Sequence, residues 1–219
     1  MPIAIRDRQA APPRLAPLAG LDVRREDRAD VMALLQKRSE AEMTRRFADR
    51  HRAYVASRGG EAAAWGWVAT TRAHVGELES TFTVPESQRY LWNFVTLPAH
   101  RGLGLYPRLL DAIVRIEQAD VERFWIAYAP ENHASGAGIR KAGFTDIAAL
   151  SFDVHGHPAA SDIVRGGARM AAQLLGIPAV DDPLAMCWRC AKSAAPTSSS
   201  CHAGPCACDY QRPEMRCAS

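Results

Sequence analysis

The sequence has few lysines and no long apolar run. Of its 27 lysine and arginine residues, only Lys37, Lys141 and Lys192 are lysines, and the net charge is +3. The arginines form no basic tract, so the charge pattern gives no indication of a nucleic-acid-binding surface. No apolar segment approaches the roughly 20 residues that cross a bilayer. Residues 1–20 also lack the continuous apolar core of a secretory signal. We therefore expect a cytoplasmic protein without a nucleic-acid or membrane partner.

Cysteine is missing from the first 186 residues, and all six cysteines follow that point. Reduced thiols are the rule in the cytoplasm unless they bind metal or serve redox chemistry. Zinc takes thiolate ligands in tetrahedral sets, and the candidates for such a site are Cys187, Cys190, Cys201, Cys206 and Cys208. If residues 184–190 form a strand, however, Cys187 and Cys190 point to opposite faces. A zinc site, a disordered tail of reduced thiols and a redox-sensing disulfide all remain open.

The composition divides the chain into three zones. Residues 1–20 are rich in proline and arginine and are predicted to be a flexible leader. Residues 21–190 carry the apolar patterning and are predicted to form one domain. Residues 191–219 are a tail rich in Ser, Ala, Pro and Cys, predicted to be disordered or metal-bound. Within the domain, the patterns predict a strand, two helices, three strands, and then helix, strand, helix, strand. This order indicates a mixed α/β domain with a central sheet.

The most informative segment is a strand over residues 90–97 that runs into a glycine turn and then a helix. Gly102 and Gly104 allow the backbone to approach an anion closely. Amide groups at a helix start have no partner within the helix and lie at its positive end. With Arg101 as an added charge, the segment predicts a phosphate cradle. A Gly-x-Gly pair alone is equally typical of a turn that binds nothing.

Two motifs in succession resemble those of a known family. Arg101-Gly102-Leu103-Gly104-Leu105-Tyr106 resembles the acetyl-CoA signature Gln/Arg-x-x-Gly-x-Gly/Ala of the GNAT N-acetyltransferase superfamily. Farther along the chain, the second signature of that superfamily is matched at Asn132, Ser135, Gly143 and Phe144. The resemblance covers residues 21–154. It implies the α/β GNAT fold, with a mostly antiparallel central sheet that contains a splayed strand pair and is flanked by helices.

The resemblance also implies a cosubstrate and a set of contacts. Acetyl-CoA or another acyl-CoA would pair its pantetheine arm with the backbone of Phe94 and Thr96. Asn132 would reach the coenzyme from the opposite side. The pyrophosphate would meet the backbone amides of Arg101, Gly102, Leu103, Gly104, Leu105 and Tyr106. A primary amine, on a small molecule or a protein, would attack the thioester directly, with a general base and backbone oxyanion donors assisting.

Two positions depart from the family pattern, and they leave the catalytic residues open. Tyr106 replaces the usual final glycine or alanine of the first signature. Ile139 stands where many members carry a tyrosine that protonates the leaving thiolate. Either Tyr128, Tyr106 or a water molecule replaces that tyrosine, or the thiolate leaves unassisted. The candidates for the general base are Glu77, Glu79 and Glu86, each of which is also consistent with a solvated surface carboxylate. The alternative function is a non-catalytic acyl-CoA sensor or interaction module.

Overall fold

The computed structural model describes residues 1–153 and 155–181. They form a mixed α/β fold with a mixed central sheet flanked by helices. The helices are α1 (Ala29–Gln36), α2 (Glu40–Ala48), α3 (Leu105–Glu117), α4 (His133–Lys141) and α5 (Gly167–Leu175). The strands are β1 (Pro2–Asp7), β2 (Leu21–Glu26), β3 (Arg52–Arg58), β4 (Glu61–Ala69), β5 (Arg72–Val75), β6 (Ser80–Thr83), β7 (Gln88–Thr96), β8 (Arg123–Ala127), β9 (Thr145–Phe152), β10 (Pro158–Asp162) and β11 (Ala179–Val180).

The central sheet has nine strands in the order β11-β10-β9-β1-β8-β7-β4-β3-β2. Neighbouring strands run antiparallel except in the pairs β7–β8 and β10–β11. The predicted mostly antiparallel sheet is therefore confirmed. Strands β5 and β6 form a separate two-stranded hairpin. None of the helices in the described part of the chain is long and apolar enough to span a membrane.

Strand β1 corrects the prediction of a flexible leader over residues 1–20. Residues 2–7 lie inside the sheet, between β8 and β9, and Ile3 and Ala4 are fully buried. Arg6 is buried with them, and its guanidinium donates to Asp111 and to the carbonyl of Ala142, both at 2.8 Å. The prediction failed because it rested on the proline and arginine content of the whole segment. The domain therefore includes β1, whereas its predicted end at residue 190 lies outside the described residues.

Two layers of helices cover the sheet, because alternate residues of a strand point to opposite faces. On β3, Tyr54 belongs to the core beneath α3 and α4, and its neighbour Val55 belongs to the core beneath α1 and α2. Helix α2 begins after Ser39, whose side chain accepts a hydrogen bond from the amide of Glu42. Helix α5 and the β5–β6 hairpin contribute to a third core, which also includes β1.

A buried carboxylate closes the C-terminal end of α3. The side chain of Glu117 is 1% exposed and accepts hydrogen bonds from Arg52, Arg89 and Tyr54. We call these four residues the Glu117 cluster. Burial raises the pKa of Glu117, but the three hydrogen bonds outweigh that effect and hold the pKa below its usual value. The cluster joins α3 to β3 and β7.

Candidate functional site

The site lies where β7 and β8 separate. Their parallel pairing runs from Gln88 opposite Arg123 to Leu91 opposite Ile126 and then ends. Strand β7 continues to Thr96 paired with β4 alone. A cleft of about 260 Å³ opens at this point. It is lined by Met1, Val75, Glu77, Tyr90, Leu91, Trp92, Asn93, Phe94, Tyr106, Ile126, Ala127, Tyr128, Ala129, Asn132 and Ser135.

A bulge in β7 shapes one wall of the cleft. Trp65 pairs with Val95 and Trp67 pairs with Trp92, so Gly66 of β4 faces two residues, Asn93 and Phe94. Asn93 has a φ of 53°, in the left-handed region that asparagine tolerates better than most residues. A Cβ atom on Gly66 would lie 2.0 Å from the ring of Phe94. The bulge leaves its extra residue unpaired with β4, and so provides backbone groups at the cleft.

The glycine loop follows β7 and leads into α3. Gly102 and Gly104 have φ values of 78° and 69°, which glycine adopts without strain. Helix α3 begins at Leu105, and Gly104 supplies no side-chain cap to its first amides. Arg101 is exposed, and its Nε donates to the carbonyl of Thr96 at 3.2 Å. Uncapped amides at the positive end of a helix, with an arginine beside them, suit a negatively charged ligand.

Helix α4 forms the opposite wall, and Asn132 is its N-cap. The side-chain oxygen of Asn132 accepts from the amide of Ser135 at 3.0 Å. The hydroxyl groups of Ser135 and Tyr106 lie 3.3 Å apart. Tyr106 of the first signature therefore meets Asn132 and Ser135 of the second across one cleft, although they are far apart in the sequence.

The ring of Tyr106 lies in the cleft, between α3 and α4. Its centroid is 5.6 Å from that of Phe94, and a Cβ atom on Gly138 would come within 2.5 Å of it. Glycine in a helix interior is unfavourable by about 1 kcal/mol relative to alanine, so its presence at position 138 matches the need for space. Burial raises the pKa of Tyr106 to about 12. The structure thus places in the cleft the side chain of a residue for which the sequence predicted a backbone contact and, as one alternative, a proton-donating role.

Tyr128 also lines the cleft, but its hydroxyl already has two partners. It donates to Asp146 and accepts from Arg140, each at 3.0 Å. Burial and the neighbouring Asp146 carboxylate raise the pKa of Tyr128 to about 12. Ile139 is fully buried in the core beneath α3 and α4. Of the two tyrosines, Tyr106 has the less engaged hydroxyl.

The three candidate carboxylates occupy different surroundings. Glu77 is half-buried in the β5–β6 turn and lines the cleft. Glu79 and Glu86 are exposed and are not part of the cleft lining. Sequence reasoning had no means to separate Glu77 from Glu79, because both belong to one tight turn. It made no prediction for Asn93 or Met1, which also line the cleft. For Asn93, the only signal was the presence of an asparagine within an aromatic strand.

The candidate zinc ligands Cys187, Cys190, Cys201, Cys206 and Cys208 lie outside the described residues. Within residues 1–153 and 155–181, no group of three or more His, Cys, Asp or Glu side chains is arranged to hold a metal ion.

The fold and the cleft agree with the family that the two sequence motifs resemble. Residues 21–144, more than half of the chain, match the model of the Acetyltransferase (GNAT) family. The chain therefore belongs to this family of acetyltransferases, and the resemblance inferred from the sequence is confirmed.

Similar solved structures include several acetyltransferases. One is AAC(6')-Iy in complex with the bisubstrate analogue CoA-S-monomethyl-acetylneamine, at 16% identity and a TM-score of 0.46, covering 57% of this chain and 91% of that chain. A second is the aminoglycoside 6'-N-acetyltransferase AAC(6')-IG from Acinetobacter haemolyticus, at 23% identity and a TM-score of 0.42, covering 57% and 91%. A GNAT-family acetyltransferase from Colwellia psychrerythraea has 15% identity and a TM-score of 0.46, covering 66% and 52%. The comparison with curated proteins found no match.

Proposed function

We propose that this protein transfers an acetyl or related acyl group from coenzyme A to a primary amine. The observation that carries the proposal is the cleft between β7 and β8, which opens beside the uncapped start of α3. Such a cleft offers backbone groups to an extended arm on one side and a positive helix end to a phosphate on the other. Membership of the acetyltransferase family supports the same activity. The acceptor is a small-molecule or protein amine.

The residues present suit coenzyme A. The amides of residues 101–106 would bind the pyrophosphate, with the Arg101 guanidinium adding positive charge. The backbone of Phe94 and Thr96, at the part of β7 that β8 leaves unpaired, would bind the pantetheine arm. The side-chain oxygen of Asn132 is already occupied by the Ser135 amide, so its NH₂ group is the donor left for the coenzyme.

The transfer would be a direct attack. The amine nitrogen bonds to the carbonyl carbon, the carbon–sulfur bond breaks, and the amine proton passes to a base. Among the candidate carboxylates, Glu77 is the one on the cleft, and we assign it that role. Backbone groups at the Asn93 bulge would stabilise the oxyanion. Tyr106 is better placed than Tyr128 to protonate the departing thiolate, since the Tyr128 hydroxyl already donates to Asp146.

Calorimetric titration of the full chain with acetyl-CoA tests the donor site. We expect saturable binding by the wild type and at least about 100-fold weaker binding by Gly104→Glu, because the variant places a carboxylate among amides that would bind the pyrophosphate. Gly104→Ala is the matched control. It carries the same backbone strain at a φ of 69° without the charge, and it should bind within a few-fold of the wild type. No binding of acetyl-CoA, longer acyl-CoAs or free coenzyme A by the wild type would refute the proposal.

A non-catalytic acyl-CoA sensor is the second candidate function. The buried Ile139 favours it, because the position that often carries the proton-donating tyrosine has no ionisable group. Thiol release from acetyl-CoA, measured against a panel of primary amines, separates the two functions. Amine-dependent release supports the enzyme, whereas tight binding without release supports the sensor.

A further inference from the structure

One side-chain amide connects the helical layer to the bulge in β7. Gln36 is the last residue of α1, and its Oε1 accepts hydrogen bonds from Asn93 Nδ2 at 3.2 Å, Arg46 Nη1 at 3.3 Å and Trp67 Nε1 at 3.4 Å. Its Nε2 donates to the sulfur of Met43 at 3.1 Å. Because three donors converge on one atom, that atom must be the oxygen, and the orientation of the amide is determined.

Arg46 holds this amide in place from the side of α2. Its guanidinium lies 5.1 Å from the ring centroid of Trp67 and 4.7 Å from that of Trp92, within the range of cation–π attraction. Its Nη2 also forms an ion pair with Glu42 at 2.7 Å. Trp92 directly precedes Asn93 in the cleft wall. The two helices are therefore linked to both residues at the start of the bulge.

Asn93 is the one residue of this network with a strained backbone. A non-glycine residue at a φ of 53° is unfavourable by about 1 kcal/mol or more, and surrounding contacts must maintain it. The hydrogen bond that its Nδ2 donates to Gln36 is one such contact. Loss of that bond would allow Asn93 to relax toward a regular strand conformation and shift the backbone at which β7 leaves β8.

We infer that Gln36 is a positioning residue, which holds Asn93 in the left-handed conformation and thereby sets the backbone of the bulge at the cleft. The conformational part of this inference stands independently of any activity. Its consequence for acyl recognition rests on the proposed function. Through Gln36, the C-terminal end of α1 controls the backbone geometry of the cleft.

Hydrogen exchange of the ligand-free full chain tests the conformational part. We expect Gln36→Leu to speed exchange in the peptide covering residues 90–97 by about fivefold, as the loss of one hydrogen bond implies. Gln36→Glu keeps an acceptor oxygen and should restore the wild-type rate. Met43→Leu is the matched control: it removes the other partner of the Gln36 amide, conserves volume, and should leave this peptide unchanged.

A second pair of variants separates backbone strain from the hydrogen bond. Asn93→Ala loses the bond and keeps the strain, so it should exchange as fast as Gln36→Leu. Asn93→Gly loses the bond but adopts the left-handed conformation freely, so adding Gln36→Leu to it should have no further effect. Wild-type exchange in Gln36→Leu, or a further increase in exchange when Gln36→Leu is added to Asn93→Gly, would overturn the inference.

Calorimetry with coenzyme A and with acetyl-CoA tests the functional part. The two probes differ only in the acetyl group, so the ratio of their dissociation constants reports acyl recognition. Gln36→Leu should weaken acetyl-CoA by about fivefold and leave free coenzyme A within twofold. Equal weakening of both probes would overturn the consequence for acyl recognition. If no variant, including the wild type, binds either probe, the proposed function fails, and the exchange experiment still decides the role of Gln36.

Discussion

The two ends of helix α3 are built in opposite ways. At its C-terminal end, Glu117 is 1% exposed and is held by two arginines and a tyrosine. At its N-terminal end, the helix begins after Gly104 with no side-chain cap, beside an open cleft. Capping and pairing of helix termini stabilise a fold, whereas uncapped amides are available to a ligand. The comparison indicates that one helix anchors the sheet at one end and serves the proposed site at the other.

The largest expected effect is at the anchored end. Glu117→Ala leaves Arg52, Arg89 and Tyr54 without their shared acceptor, and the loss of one partner from a buried pair destabilises by about 3–5 kcal/mol. We expect that loss in the free energy of unfolding, measured by urea titration. Coenzyme binding by the folded protein should remain within about twofold, because the substitution removes none of the groups at the open end. A large drop in coenzyme affinity at unchanged stability would contradict the division between the ends.

A smaller effect is expected where α4 packs against the open end. Gly138→Ala adds a Cβ atom within 2.5 Å of the Tyr106 ring, and overpacking of this kind destabilises by about 1–3 kcal/mol, partly offset by the better helix propensity of alanine. Thermal unfolding measures the net loss. Ala137→Gly, at an exposed position of the same helix, measures the change in stability that comes from the helix propensity of glycine alone. An increase in stability for Gly138→Ala would show that Tyr106 moves freely.

The charge beside the loop has a smaller effect still. Arg101→Met should weaken acetyl-CoA by about three- to fivefold at low salt, because exposed charges near a helix end contribute about 0.3–1 kcal/mol. The difference from the wild type should shrink at high salt, where such interactions are screened. Arg165→Met, at another exposed arginine, controls for net charge and should bind normally. A salt-independent loss would point to a structural role for Arg101.

The smallest effect is a change in the pH dependence of stability. The pKa of Glu117 in the folded protein lies below its unfolded value of about 4.3. Its contribution to stability is therefore complete above that value and is lost as the pH falls through the folded pKa. Between pH 5 and pH 3, the free energy of unfolding should fall less steeply in Glu117→Gln than in the wild type. Parallel slopes would show that Glu117 does not titrate in this range.

The open end of α3 was predictable because its signal is local. A strand, two glycines and a helix start follow one another within residues 90–107, and the structure retains that order. The Gly-x-Gly turn identifies the loop, and the second signature predicts Asn132 on the far wall. A strand, a glycine turn and a helix start in succession leave the backbone few alternative conformations. The local sequence is therefore enough to predict this segment.

The remaining features depend on contacts between distant segments. The bulge at Asn93 requires Gly66 on another strand, and nothing within residues 88–96 reveals that pairing. The choice of Glu77 over Glu79 depends on the rotation of one hairpin turn toward the cleft. The position of residues 2–7 inside the sheet depends on two strands more than a hundred positions away. In each case the local sequence is compatible with several outcomes, and tertiary packing selects one.

The position of β1 has a consequence for the order in which the chain acquires its structure. Asp7 at the end of this strand is joined to Arg123, 116 positions farther along, and the other neighbour of β1 is β9, which comes later still. Contacts of such long range form slowly, because a large loop must close before they stabilise anything. During synthesis, β1 emerges from the ribosome well before either neighbouring strand. It therefore has neither of its pairing partners, β8 and β9, until β8 has emerged. We therefore expect the half-sheet β2-β3-β4-β7 to form first and β1 to be among the last strands to join.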